Sequence, residues 1–221
     1  MSYLLHINTA LETASISLSR EGKIIAEKQN SNQKDHATFL HPAIQDVLKK
    51  VDLTVKSLSA ISVIAGPGSY TGLRVGMSAA KGMCFALSLP MITVNTLEWM
   101  ALSAANEETD LLCPMIDARR MEVYTALYAR NLEEIIPPAA LILHTDSFSE
   151  RLEINQILFF GNGAEKFSKL IAHPNAAFKM IDPNIEKFAE ISWNLYQQRT
   201  FANLAYTEPL YIKDFYTTFK A

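Results

Sequence analysis

The sequence predicts an α/β fold of two halves of similar length, each a mixed sheet with helices. Two observations carry this. Strand-type and helix-type runs alternate along the chain, and one order, three strands, helix, strand, helix, strand, helix, occurs twice, on either side of the polar stretch Asn106 to Asp110. The predicted halves are residues 1–106 and 107–221, with about 208–221 returning to pack on the first half.

Tyr3 to Asn8, Ala14 to Ser19 and Lys23 to Lys28 read as strands. The second alternates Ile16 and Leu18 with Ser15, Ser17 and Ser19, and Glu21-Gly22 supplies a hairpin turn into the third. After the polar loop Asn30 to Asp35, the segment Asp35 to Val51 sets Phe39, Leu40, Ile44, Val47 and Leu48 at helical period, with Pro42 expected to kink or restart the helix. The strand Ala60 to Ala65 leads into Gly66-Pro67-Gly68-Ser69 and a helix from Thr71 to Leu87, capped by Ser69 or Thr71. Met91 to Asn95 is a strand, and Thr96 to Asn106 a helix capped by Thr96. The second half reads as strands at Leu111 to Ile116, Glu122 to Arg130 and Ala139 to His144, then a short helix at Asp146 to Leu152. A strand at Ile157 to Phe160, a helix at Gly163 to Ile171, a strand at Phe178 to Ile181 and a helix at Asn184 to Arg199 complete it.

The glycine loop is neither a Walker loop, since Leu73-Arg74 stand where Lys-Ser/Thr is required, nor a dinucleotide fingerprint. A strand-to-helix turn of this kind can present backbone N–H groups to an anion or a partner's carboxylate, or bind nothing. Gly72, Gly76 and Gly82 each cost about 1 kcal/mol against alanine in a helix interior, so something offsets them. Gly72, Gly76, Ala79 or Ala80, and Met83 recur at steps of three and four, a smooth stripe that admits another backbone. That backbone is either this chain's own sheet or helix, or a second polypeptide.

Composition narrows the function classes. With 221 residues, 49% of them hydrophobic, the chain buries a substantial core, and its longest nearly apolar run, Met83 to Val94, is too short to span a bilayer. The N-terminal residues carry neither a basic region nor a cleavage site, and the two cysteines, Cys84 and Cys113, sit in apolar settings, so a cytoplasmic location without a membrane partner is expected. Net charge is −3 and the cations are dispersed, the adjacent basic pairs being Lys49-Lys50 and Arg119-Arg120; another subunit is expected to hold any RNA.

The unbroken string Gly66-Pro67-Gly68-Ser69-Tyr70-Thr71-Gly72-Leu73-Arg74-Val75-Gly76 resembles the signature of the TsaB (YeaZ) family. Leu4 to Leu18, His36 to Leu48 and Pro209 to Asp214 resemble it too, so the likeness covers most of the chain. It implies the duplicated actin-like, ribonuclease H-like (ASKHA) fold, which the repeated element order also suits. It further implies a non-catalytic subunit that binds and activates TsaD, the enzyme transferring threonylcarbamoyl to an adenosine of tRNA next to the anticodon. The ATPase TsaE would join the complex, tRNA would be met only through it, and the chain alone could form homodimers. TsaD would meet the helices Asp35 to Val51 and Thr71 to Leu87 in a four-helix bundle. The implied contacts are His36, Phe39, Leu40 and Ile44, then Gly68, Ser69, Tyr70, Gly72, Leu73, Arg74, Gly76, Met77, Ala80 and Met83.

The same likeness frames the alternatives, an ATP-dependent small-molecule kinase or a metallopeptidase. ATP-using proteins of this fold carry a metal-holding aspartate where this chain has Asn8, and a glycine-rich second phosphate loop where it has Asp117-Ala118-Arg119-Arg120. Gly161-Asn162-Gly163-Ala164 occupies the place of the adenosine loop and reads more simply as a turn. Catalytic relatives pair two histidines four residues apart on a helix; His36 and His41 are five apart, and that step turns about 140°, so the rings diverge. No catalytic residue, cofactor or metal is expected.

Overall fold

The structure, a computed structural model, describes residues 1–32 and 35–213. The first sheet contains β1 (Tyr3–Asn8), β2 (Ala14–Arg20), β3 (Lys23–Asn30), β4 (Ala60–Gly66) and β5 (Met91–Asn95), ordered β3-β2-β1-β4-β5. Its first three strands are antiparallel neighbours, while β4 and β5 continue parallel to β1. Three helices belong to this half, α1 (His36–Lys49), α2 (Tyr70–Leu87) and α3 (Thr96–Ser103).

The second half repeats the plan with β6 (Leu111–Asp117), β7 (Glu122–Ala129), β8 (Glu134–Ile142), α4 (Ser149–Leu152), β9 (Ile157–Phe160), α5 (Ala164–Ser168), β10 (Ala176–Lys179) and α6 (Ile185–Gln197). Its sheet order β10-β9-β6-β7-β8, read from the far end, is that of the first sheet, with the same parallel and antiparallel pairings. Two mixed sheets so connected are the duplicated actin-like arrangement, as expected.

Both faces of the first sheet are covered, which explains why β1, β2 and β4 are buried along nearly their whole length. Ile7, Ile16, Leu18, Ile61 and Val63 pack beneath α1 and α2. On the other face, Leu4, Ile64 and Val94 meet Trp99, Phe188 and Ile191. The serines of β2 therefore do not face water, because α6 covers that side. Ser62 Oγ lies 2.8 Å from Ser192 Oγ, and buried His6 places Nε2 2.8 Å from Ser19 Oγ with its ring 5.1 Å from that of Phe188. Without ionic or solvent relief, burial pulls the His6 pKa down to about 3.

Several local expectations change. Helix α1 runs unbroken through Pro42, because Pro42 and Thr38, whose carbonyl loses its helical donor, both lie on the exposed face where water serves instead. Helix α3 is capped by the Asn95 carboxamide, which accepts from Leu97 N and Glu98 N, not by Thr96. It ends at Ser103, and Ala104 donates back to the Ala101 carbonyl. Strand β8 begins five residues earlier than expected, at Glu134 instead of Ala139. Its prolines 137 and 138 are tolerated on an edge strand, next to a register shift between Thr125 and Leu127 of β7. Helices α4 and α5 are single turns, anchored by Leu152 and by Ala164 and Phe167.

Beyond α6, residues 200–213 form a strap over the first half. Ala202 bridges to Met91, Lys81 Nζ donates to the carbonyls of Ala205 and Thr207, and Leu210 N donates to the Ala65 carbonyl at 2.7 Å. Tyr211 rests on Tyr70, ring centroids 5.2 Å apart, and Lys213 pairs with Glu122 of β7, across the boundary between the sheets. The rest of the expected C-terminal packing segment, residues 214–221, lies outside the described residues. Among the described residues no helix is long and apolar enough to cross a membrane.

Candidate partner-docking site

The glycine loop is folded onto its own chain. Ser69 N donates to the Ala10 carbonyl at 2.8 Å, and a Cβ on Gly68 would overlap that same carbonyl oxygen. Ser69 Oγ accepts from Gly72 N at 3.4 Å and so supplies the N-cap. Gly68 thus serves close approach to the β1–β2 turn, and Gly66, at φ 121°, close approach to the Leu210 carbonyl of the strap, in place of an open cradle for an anion.

The inward face of α2 makes the same use of glycine. A side chain at Gly72 would run into the Thr9 carbonyl oxygen, and one at Gly76 into the Thr9 hydroxyl. Thr9 Oγ1 in turn donates to the Gly72 carbonyl at 2.6 Å, stapling the turn to the helix. Gly72, Leu73, Gly76, Met77 and Ala80 are all buried here, as are His36, Leu40 and Ile44 of α1. These residues fill the space between the helices and their own sheet, and Leu40 also reaches the groove between α1 and α2. His36 puts Nε2 3.1 Å from the Glu12 carbonyl.

What α1 and α2 turn outward is a different row. Ala37, His41, Val75, Ala79, Gly82 and Met83 line an apolar groove of about 430 Å³ between the two helices, with Leu40 at its floor. Gly82 is exposed and a Cβ there would meet nothing within 4 Å, so no contact among the described residues offsets its helical cost. Phe85, one position from Ala86 at the groove's end, is 80% exposed. Of the expected contacts, Phe39 and Met83 are half-buried, while Gly68, Ser69, Tyr70 and Arg74 are partly or fully exposed around the N-terminal end of α2, where the Arg74 guanidinium donates to the Tyr70 hydroxyl at 2.6 Å. The outward row was visible as a second stripe of small residues at 75, 79, 82 and 86; the inward stripe, which holds two of the helix's three glycines, masked it.

The cleft between the halves is another concavity, about 330 Å³, lined by Asn8, Glu12, Trp99, Met100, Asn162 and Asp182 among others. Asn8 is committed to its own turn, donating to the Thr13 carbonyl and accepting from Ala10 N. Asn162 donates across to Glu12 at 3.2 Å and accepts from Asp117 N. Partial burial pushes the Asp117 carboxyl up, but Lys166, which pairs with it, and the N–H and charge of Arg119 outweigh burial and leave its pKa below the ordinary value. His36 is buried and His41 exposed, and no group of three His, Cys, Asp or Glu side chains that could hold a metal occurs among the described residues. Burial raises both thiols, Cys84 to about 11 and Cys113 to about 12.

Residues 23–214 match the family model described as "TsaD: tRNA N6-adenosine threonylcarbamoyltransferase". The tRNA threonylcarbamoyladenosine biosynthesis protein TsaB of Bacillus subtilis is 33% identical over 171 residues, covering 76% of this chain and 74% of its own length. The chain belongs to the TsaB family. The Escherichia coli protein of the same name is 28% identical over 220 residues, 96% of this chain and 94% of its own. Among solved structures, YeaZ from Pseudomonas aeruginosa superposes with a TM-score of 0.78 at 24% identity, covering 96% of this chain and all (100%) of that one. A second, described as an uncharacterized protein with similarity to peptidase YEAZ from the same organism, gives 0.83 at the same coverage. Both support the fold.

Proposed function

We propose that this chain is the non-catalytic TsaB subunit of tRNA threonylcarbamoyladenosine biosynthesis, docking on TsaD through the outward faces of α1 and α2 and activating its transfer of threonylcarbamoyl to tRNA. The observation that carries this reading is the groove around Gly82 and Met83, an apolar helical surface with a glycine that no contact among the described residues requires. A helix pair from the partner, seated in that groove, would complete a four-helix bundle with close backbone approach at Gly82. The contacts would be Ala37, Phe39 and His41 on α1, Val75, Ala79, Gly82 and Met83 on α2, and Gly68, Ser69, Tyr70 and Arg74 at the rim. The cleft supports a subunit without chemistry of its own: an amide, Asn8, stands where a metal-holding carboxylate is wanted, and arginines replace glycines in the second loop. The complex would work in the cytoplasm with TsaE, meeting tRNA as an assembly; alone, the chain would cover the groove by homodimerisation.

The test is reconstitution of threonylcarbamoyl incorporation into tRNA, with the ligase that makes the adenylate, TsaE, and TsaD with or without this chain. TsaD idle alone and active with the chain is the expected outcome. TsaD equally active without it, or ATP turnover by this chain unaided, overturns the reading.

A further inference from the structure

In a chain of net charge −3, the one pair of adjacent arginines, Arg119-Arg120, forms the exposed tip of the β6–β7 hairpin. Both residues hold left-handed backbone, φ 68° and 50°, which glycine and asparagine adopt readily and arginine does not. The two carboxylates beside them are already answered, Asp117 by Lys166 and Glu122 by Lys213. Among the described residues neither arginine guanidinium has a hydrogen bond or an ion pair, and with Lys166 and Lys213 the tip sets four cations against two carboxylates.

The surroundings fit one class of ligand. Lys213 lies two residues beyond Tyr211, and the 37%-exposed Tyr70 and 40%-exposed Tyr211 pair with each other, the Arg74 guanidinium 5.3 Å above the Tyr70 ring. Guanidiniums neutralise phosphates in bidentate fashion, and exposed aromatic rings stack on unpaired bases; together they suit RNA better than an acidic protein surface, which has use for the charges but not the rings.

We propose that the Arg119-Arg120 tip contacts the phosphate backbone of the tRNA substrate once the chain is docked on TsaD, with Tyr211 of the neighbouring strap stacking on an unpaired base. The inference rests on the docking reading above and adds that the docked subunit shares in holding the RNA.

The experiment uses the assembled complex with tRNA. Arg119→Asn/Arg120→Gly deletes both charges while suiting the left-handed backbone, and Arg119→Glu/Arg120→Glu reverses them. Complex formation is followed by size exclusion, then KM for tRNA is measured over a range of salt. The expected result is an intact complex with unchanged kcat, KM raised about three- to tenfold by the first variant and further by the second, and a salt slope shallower by about 1 to 2. Tyr211→Ala should raise KM without altering the slope, since stacking carries no charge. An intact complex with unchanged KM and slope overturns the proposal. Dissociation of the complex by the arginine variants also overturns it, making the tip a protein contact. Failure of the wild-type chain to bind TsaD overturns the docking reading, and with it this one.

Discussion

On the inward side of α2, Gly72 and Gly76 admit Thr9 so closely that a methyl group at either would overlap it, whereas on the outward side Gly82 opens on empty space. The three glycines sit on one helix and carry the same intrinsic cost, about 1 kcal/mol each. Two are offset by a staple between the helix and the β1–β2 turn; the third is offset by nothing among the described residues. Glycine in a helix thus marks a close approach without saying whether the approaching backbone is internal or foreign, and what would touch the missing side chain decides between them.

The largest effect expected from this contrast is at Gly76. Gly76→Leu drives four carbons into Thr9 and the β1 layer and should abolish cooperative folding, seen as loss of the thermal transition. Gly82→Leu should keep the protein folded with a gain of up to about 1 kcal/mol from helix propensity and weaken TsaD binding by about a hundredfold or more by calorimetry, a hot-spot loss. If Gly76→Leu folds normally, or Gly82→Leu binds normally, the division between the two faces fails.

The far side of the same sheet gives a pH contrast. Unfolded, His6 takes a proton near its ordinary pKa of 6.5; folded, it resists until about pH 3. The unfolded state therefore binds more protons between those values, so stability is full above pH 6.5 and falls as pH drops toward 3, by at most about 1.4 kcal/mol per pH unit. His6→Gln should flatten that part of the acid denaturation profile, while substitutions under α2 should shift stability equally at pH 5 and pH 8.

Smaller effects refine the staple. Thr9→Val removes the hydroxyl bond to the Gly72 carbonyl at nearly constant shape, for a loss of about 1 kcal/mol in urea denaturation with binding to TsaD unchanged. Gly82→Ala adds helix propensity on the open side and should gain up to about 1 kcal/mol of stability. Binding weakened by Gly82→Ala would mean that the partner's backbone sits against this residue.

The order of elements was fully legible, because hydrophobic period and turn residues are local and both halves spell the same sequence of them. What was not legible depended on distant chain. The alternation in β2 separates the serines from Ile16 and Leu18 but cannot show that α6, about 170 residues later, covers their face. Thr96 looked like a cap because it starts the helix, yet the Asn95 side chain reaches the free N–H groups. The inward stripe of α2 looked like a docking face since spacing fixes which residues share a face, not which way the face turns. Arg119-Arg120 was noticed as a pair, but its left-handed backbone is a property of the hairpin that no composition reveals.

The placement of α6 and the strap has a consequence for the order in which the protein comes off the ribosome. The first sheet is complete in strands by Asn95, yet its second face is covered only by α3 until Phe188, Ile191 and Ser192 emerge, and Tyr70 of α2 lacks Tyr211 until the strap follows. The N-terminal half must therefore wait, half-covered, through synthesis of the entire second half, and during that interval it is open to holdase chaperones. Nascent chains arrested before residue 185 should be protease-sensitive in the first sheet, and chains extended past the strap should not.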